Sequence, residues 1–214
     1  MCKYLAVIIS FMTCFSVSAQ ELADISLPAP DMTGGMPLME ALKARQSSRD
    51  FSTKPLPVQQ LSDLLWAAWG INRQDSGKRT APSARNWQDI EVYAVTAEGA
   101  YLYNAGKNKL EMTVKGDLRK KTGMQGFAGK APLNLVFVSD LSRMKGASKE
   151  DQVIYSGAHA GYVSQNVYLF CASEGLSTVV RGSVDREALS KAMGISVPKK
   201  IILVQTVGYP EKAD

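Results

Sequence analysis

An α+β domain is what this sequence predicts, with a central mixed or antiparallel sheet flanked by helices. Three observations carry the prediction. Strand and helix signals mix without a strict βαβ alternation. A hairpin is marked by Tyr101-Leu102-Tyr103 and Leu110-Glu111-Met112-Thr113-Val114, joined through a turn that holds Gly106 and Asn108. The run Leu133-Asn134-Leu135-Val136-Phe137-Val138 is nearly all apolar, as a strand covered on both faces has to be.

The chain opens with Lys3, an apolar stretch from Leu5 to Phe15, and Val17-Ser18-Ala19, the three-part pattern of a secretory signal cleaved near Gln20. That apolar stretch is shorter than the ~20 residues a membrane span needs. Residues 1–19 are therefore read as a removed signal and the protein as exported and periplasmic, with no stable membrane insertion. Residues 20–36, broken by Pro28, Pro30, Gly34 and Gly35, read as an extended arm. Residues 37–214 are long enough for a single domain with a proper core.

Within that domain, Pro37 opens a helix to about Ser47 with Leu38, Ala41 and Leu42 on one face. A second helix follows Pro55-Leu56-Pro57, carries Leu61, Leu64, Leu65 and Ala68 at helical spacing, and stops at Gly70. Residues 72–88 are polar and read as a loop. Ile90 to Thr96 is rich in β-formers and reads as a strand. A short helix is expected over 116–122 and a long one over roughly 149–174, ending at Gly175. Strand Ser177–Arg181, helix Asp185–Met193 and strand Lys200–Val207 complete the chain.

Composition excludes several classes. The net charge of +5, from 25 basic and 20 acidic residues, is spread along the chain without a dense basic block, so nucleic acid is not expected as a partner. Of the three cysteines only Cys171 follows the signal, so no internal disulfide and no Cys/His metal site is expected. Cys171 reads as an inert buried thiol. Gly157 and Gly161 in the long helix allow close approach of another backbone, in the same subunit or a twin, but the charges around them rule out a membrane span. His159, the single histidine, reads as a satisfied core residue.

Four segments carry the chemistry. Arg45-Gln46-Ser47-Ser48-Arg49 brings two guanidinium forks and two hydroxyls together, a set suited to a phosphate monoester. The others are Pro82-Ser83-Ala84-Arg85-Asn86-Trp87-Gln88, Gly123-Met124-Gln125-Gly126-Phe127 and Val179-Val180-Arg181-Gly182-Ser183. In this order and spacing, together with stretches such as Leu64 to Ile71, His159 to Asn166 and Val207 to Pro210, the chain resembles the FMN-dependent nitroreductase family, in a branch near the thiazoline and oxazoline dehydrogenases.

The resemblance covers about Pro37 to Pro210 and implies a nitroreductase-like fold, an FMN cofactor and a homodimer that buries the flavin at its interface. The arm would then be free to wrap the twin. It further implies that Arg45, Ser47 and Arg49 grip the phosphate. Pro82, Ser83, Ala84, Arg85 and Asn86 would touch the ring and ribityl chain, and Gln125 would lie at the cofactor. The strand end Val180, Arg181 and Gly182 would set backbone amides against the isoalloxazine, with an N–H near Arg181-Gly182 pointing at flavin N5. No catalytic acid or base is assigned, because the cofactor carries the chemistry. The implied activity is ping-pong electron transfer from NAD(P)H to a nitro, quinone or related small molecule. A non-catalytic flavin binder and a dehydrogenase of a peptide or heterocycle remain as alternatives.

Overall fold

The computed structural model describes residues 23–211; the expected signal at residues 1–19 lies outside the described residues. In chain order the elements are β1 (Ile25–Ser26), α1 (Leu38–Ala44), α2 (Val58–Trp69), β2 (Ile71–Arg73), β3 (Lys78–Arg79), β4 (Ile90–Val95), β5 (Gly99–Asn104), β6 (Lys109–Lys115), α3 (Phe127–Lys130), β7 (Leu133–Asp140), α4 (Lys149–Ser173), β8 (Ser177–Arg181), α5 (Arg186–Met193) and β9 (Lys199–Gly208). Seven strands form one sheet in the order β1-β6-β5-β4-β7-β9-β8. Every neighbouring pair is antiparallel, so the sheet is antiparallel throughout rather than mixed.

Strand alternation builds two cores, because successive side chains leave opposite faces of a sheet. Ile90, Val92 and Ala94 of β4 join Leu133, Leu135 and Phe137 of β7 against Leu64, Leu65 and Ala68 of α2 and Ala160, Val163 and Val167 of α4. On the other face Tyr93, Val95, Val136, Val138 and Val204 close on Leu189 and Met193 of α5. All of β7 is buried, as its unbroken apolar run requires.

Helix α4 starts on a capping box: Ser148 Oγ accepts from the Asp151 N–H at 3.0 Å, and the Asp151 carboxylate accepts from the Ser148 N–H at 3.3 Å. Among the described residues no helix is long and apolar enough to cross a membrane, and no cluster of three or more His, Cys, Asp or Glu side chains converges for a metal.

Several expectations are corrected. The first helix ends at Ala44, not near Ser47, because the Ser48 N–H donates to Thr178 O at 2.9 Å and draws the following segment alongside β8. The stretch 116–122 forms only a 3₁₀ turn at Arg119–Thr122, and the loop at 72–88 contains the small β2–β3 pair. The described part of the arm packs on its own chain. It adds β1 to its own sheet, with Ile25 opposite Leu110, and Pro28 O accepts from Asn108 Nδ2 at 2.7 Å and Ser62 Oγ at 2.6 Å. Among the described residues nothing lies within 4 Å of a Cβ built at Gly157 or Gly161, which leaves their close-approach face open.

Candidate functional site

The phosphate-type segment leaves α1 in an extended conformation and docks where α4 meets β8. Tyr168 joins the three. Its hydroxyl lies 2.8 Å from Ser47 Oγ, it accepts from the Val180 N–H at 3.0 Å, and the Arg45 guanidinium sits 5.3 Å from its ring centroid. Arg45 is half-buried and Arg49 exposed, and among the described residues neither forms an ion pair. Two uncompensated cations flanking a hydroxyl make a donor set for a dianion.

Tyr168 carried no role in the sequence reading. The one available signal was a phenol inside the apolar stretch Val167-Tyr168-Leu169-Phe170, since a buried hydroxyl needs a partner. Tyr168→Phe would leave the Val180 N–H without an acceptor, and a loss of about 1–2 kcal/mol of stability is expected by urea denaturation. Faster hydrogen exchange at the Val180 amide should accompany it.

At the end of β8 the side chains part. Val180 meets α4 through its backbone, while Arg181 turns into the opposite core. Its Nη1 donates to Thr122 O at 3.0 Å and to Gln125 Oε1 at 3.4 Å, and its Nη2 donates to Asn134 Oδ1 and Thr206 Oγ1, each at 2.8 Å. The guanidinium lies 5.5 Å from the Phe127 ring centroid and has no carboxylate among these partners, and Nε has no acceptor. Burial pushes its pKa down to about 10. Gly123 is needed beside it, because a Cβ there would lie 1.5 Å from Nη1. Gln125 is thus tied to Arg181, and the exposed residues just past this strand end are Gly182 and Ser183.

The Pro82–Gln88 loop carries unusual backbone. Arg85, Asn86 and Gln88 adopt φ of 49°, 53° and 46°, left-handed values that cost side-chain-bearing residues of order 1–3 kcal/mol each. Ser83 Oγ accepts from the Gln88 N–H at 3.0 Å, and the Ala84 N–H donates to His159 Nε2 at 2.8 Å. His159 Nδ1 lies 2.5 Å from Asp89 Oδ1, and both residues are fully enclosed. Pro82, Arg85 and Asn86 are exposed, with the Arg85 guanidinium 5.6 Å from the Trp87 ring centroid. His159 is indeed a satisfied buried residue, and Cys171 is buried, its thiol pKa pushed up by that burial.

Within one chain the structure brings Arg45, Ser47 and Val180 together around Tyr168, and Gln125 to Arg181. It keeps the Ser83–Asn86 loop apart. That loop hangs from His159, and at 1.5 Å rise per residue the α4 positions 159 and 168 lie ~13 Å apart along the helix.

The comparisons with known proteins agree with this architecture. The model of the Nitroreductase family matches residues 42–209. A crystal structure from Ralstonia eutropha JMP134, described as a nitroreductase, is 44% identical with a TM-score of 0.86, covering 92% of this chain and 94% of its own. A protein of Methanocaldococcus jannaschii named as a nitroreductase is 30% identical over 156 residues, 68% of this chain and 78% of that one. An E. coli microcin synthetase McbBCD complex solved with truncated pro-MccB17 shares the fold, with a TM-score of 0.68 at 17% identity over 97% of this chain and 85% of that one. The protein is an oxidoreductase. It belongs to the nitroreductase family, whose members generally use flavin cofactors.

Proposed function

We propose that this chain is an exported FMN oxidoreductase of nitroreductase type, taking electrons from NADH or NADPH and passing them to a nitro, quinone or related small acceptor. The observation that carries this reading is the pair Arg45 and Arg49, without ion-pair partners among the described residues, flanking Ser47 on a segment docked to the start of β8. Their donor set suits the FMN phosphate, and the backbone around Gly182 is open to a flat ring beside it. When bound, the flavin supplies a two-electron carrier that one molecule loads and a second discharges. The protein's part is to bind and orient. Arg45, Ser47 and Arg49 would anchor the phosphate, Asn86 would offer a donor and an acceptor to the ring's polar edge, and Ser83 would serve the ribityl region.

A homodimer completes the site in this reading. The second copy closes over the flavin, as the resemblance to the family implies. The open face of α4, with Val153, Ile154, Tyr155 and Tyr162 exposed beside Gly157 and Gly161, is apolar enough to receive a second copy. Export rests on the Lys3, Leu5–Phe15 and Val17-Ser18-Ala19 pattern.

The test is the visible spectrum of the full-length protein purified from its native compartment, followed by NADH and then a nitroaromatic or quinone. A yellow dimer that bleaches and recolours is expected; a colourless protein that takes up no added FMN would overturn the reading. The shared fold with the McbBCD complex, solved with a truncated precursor bound, favours one other reading, dehydrogenation of a peptide or heterocycle. Bleaching by such a substrate with nicotinamide absent would select it.

A further inference from the structure

We propose that His159 and Asp89 are positioning residues that hold the Ser83–Gln88 loop in its working shape through a single acceptor, His159 Nε2. The proposal rests on the reading that this loop faces the flavin, and it deepens that reading by naming what keeps the loop there.

The geometry determines the histidine's state. The Ala84 N–H can only donate, so Nε2 at 2.8 Å must be the bare, accepting nitrogen. The imidazole proton then sits on Nδ1 and is donated to Asp89 Oδ1 at 2.5 Å. Asp89 is in turn fixed to β7, because its Oδ2 accepts from Ser139 Oγ at 2.7 Å and its carbonyl accepts from the Asp140 N–H at 2.8 Å. A continuous line of bonds therefore runs from β7 through Asp89 and His159 on α4 to the backbone of Ala84. The next residues, Arg85 and Asn86, sit in the left-handed region. Backbone held there persists only where its surroundings over-determine it, and at this end of the loop the imidazole is that constraint.

Both ring nitrogens are engaged and His159 is 1% exposed, so the residue has no free site for exchanging protons with a substrate. The rings of Tyr155 and Tyr162, with centroids 5.9 and 6.3 Å away, shield it further. A carboxylate that orients an imidazole, which then holds a backbone amide rather than a nucleophile, is the second tier of a binding site.

Two substitutions separate positioning from packing. In His159→Asn the side-chain amide keeps a donor near the Nδ1 position for Asp89 but offers Ala84 nothing. In His159→Gln an oxygen reaches the Nε2 position. In the full chain, the Asn variant should stay folded, lose hydrogen-exchange protection at the Ala84 amide without flavin, and bind FMN about tenfold more weakly, the worth of one hydrogen bond. The Gln variant should keep Ala84 protected and FMN affinity within about threefold.

Equal FMN affinity and Ala84 protection in the wild type and the Asn variant would overturn the proposal, as would equal losses in Asn and Gln. Wild type that fails to take up FMN would defeat the flavin reading alone, since Ala84 protection is read without flavin. Where the Asn variant does not fold, ¹⁵N spectra of the wild-type imidazole decide: a protonated Nδ1 with bare Nε2 supports the proposal, and the opposite tautomer overturns it.

Discussion

With FMN bound as proposed, replacing Arg45 and Arg49 together with alanine is expected to strip it from the purified protein while leaving the fold intact. Each charge-assisted bond to a phosphate contributes about 1.5–3 kcal/mol, so losing the pair should weaken FMN binding by about 10²–10⁴-fold. The fold should survive because neither guanidinium forms an ion pair within the described chain; only the contact of Arg45 with the Tyr168 ring is lost. Fluorescence-quenching titration of FMN and riboflavin against both proteins is the measurement. Riboflavin lacks the phosphate, so its affinity should barely change. An undiminished FMN affinity in the double variant would remove the phosphate assignment. Lysine at both positions should fall between, retaining charge without the planar fork.

The second large effect is expected at Arg181→Met. The guanidinium satisfies Thr122 O, Gln125 Oε1, Asn134 Oδ1 and Thr206 Oγ1 together, and a thioether satisfies none. At roughly 1 kcal/mol for each of the shorter bonds, stability should fall by about 3 kcal/mol. For a domain of this size that lowers Tm by ~6–12 °C. Removing the buried charge relieves part of the desolvation that pushes this pKa down to about 10, which is why the expected loss is not larger. Lysine should restore little, because one ammonium cannot span acceptors from the 122–125 turn, β7 and β9. A methionine variant as stable as wild type in urea would show that this hub contributes nothing to the fold.

The elements legible in the sequence were those defined by local pattern. Leu133 to Val138 reads as a two-faced buried strand because every position is covered, and the long helix over 149–174 reads from its length and its stop at Gly175. What escaped depends on residues far apart in the chain. Asp89 and His159 meet across 70 positions, and Ser47 and Tyr168 across 121, so no window of sequence contains either pair. The two-residue strand β1 is too short for any periodicity and exists only because Leu110 and Lys109 present an open edge. Arg181 shows the limit most clearly. Its place at a strand end was readable, but the face its side chain would occupy depended on strand register.

That added strand bears on the order in which the molecule assembles. Ile25 finds its mate about 85 positions downstream, so the earliest described segment to be synthesised must wait for β6 before it can dock, and contacts this distant form slowly. Until then β6 is the bare border of the sheet, the kind of border that invites pairing with other chains. Lys109 and Lys115 place charge along it, which discourages such encounters. When the arm arrives, Lys109 meets Asp24 at 2.6 Å and the same carboxylate takes the Met112 N–H. The lysine that guards the unfinished sheet becomes the handhold by which the chain's own beginning closes it.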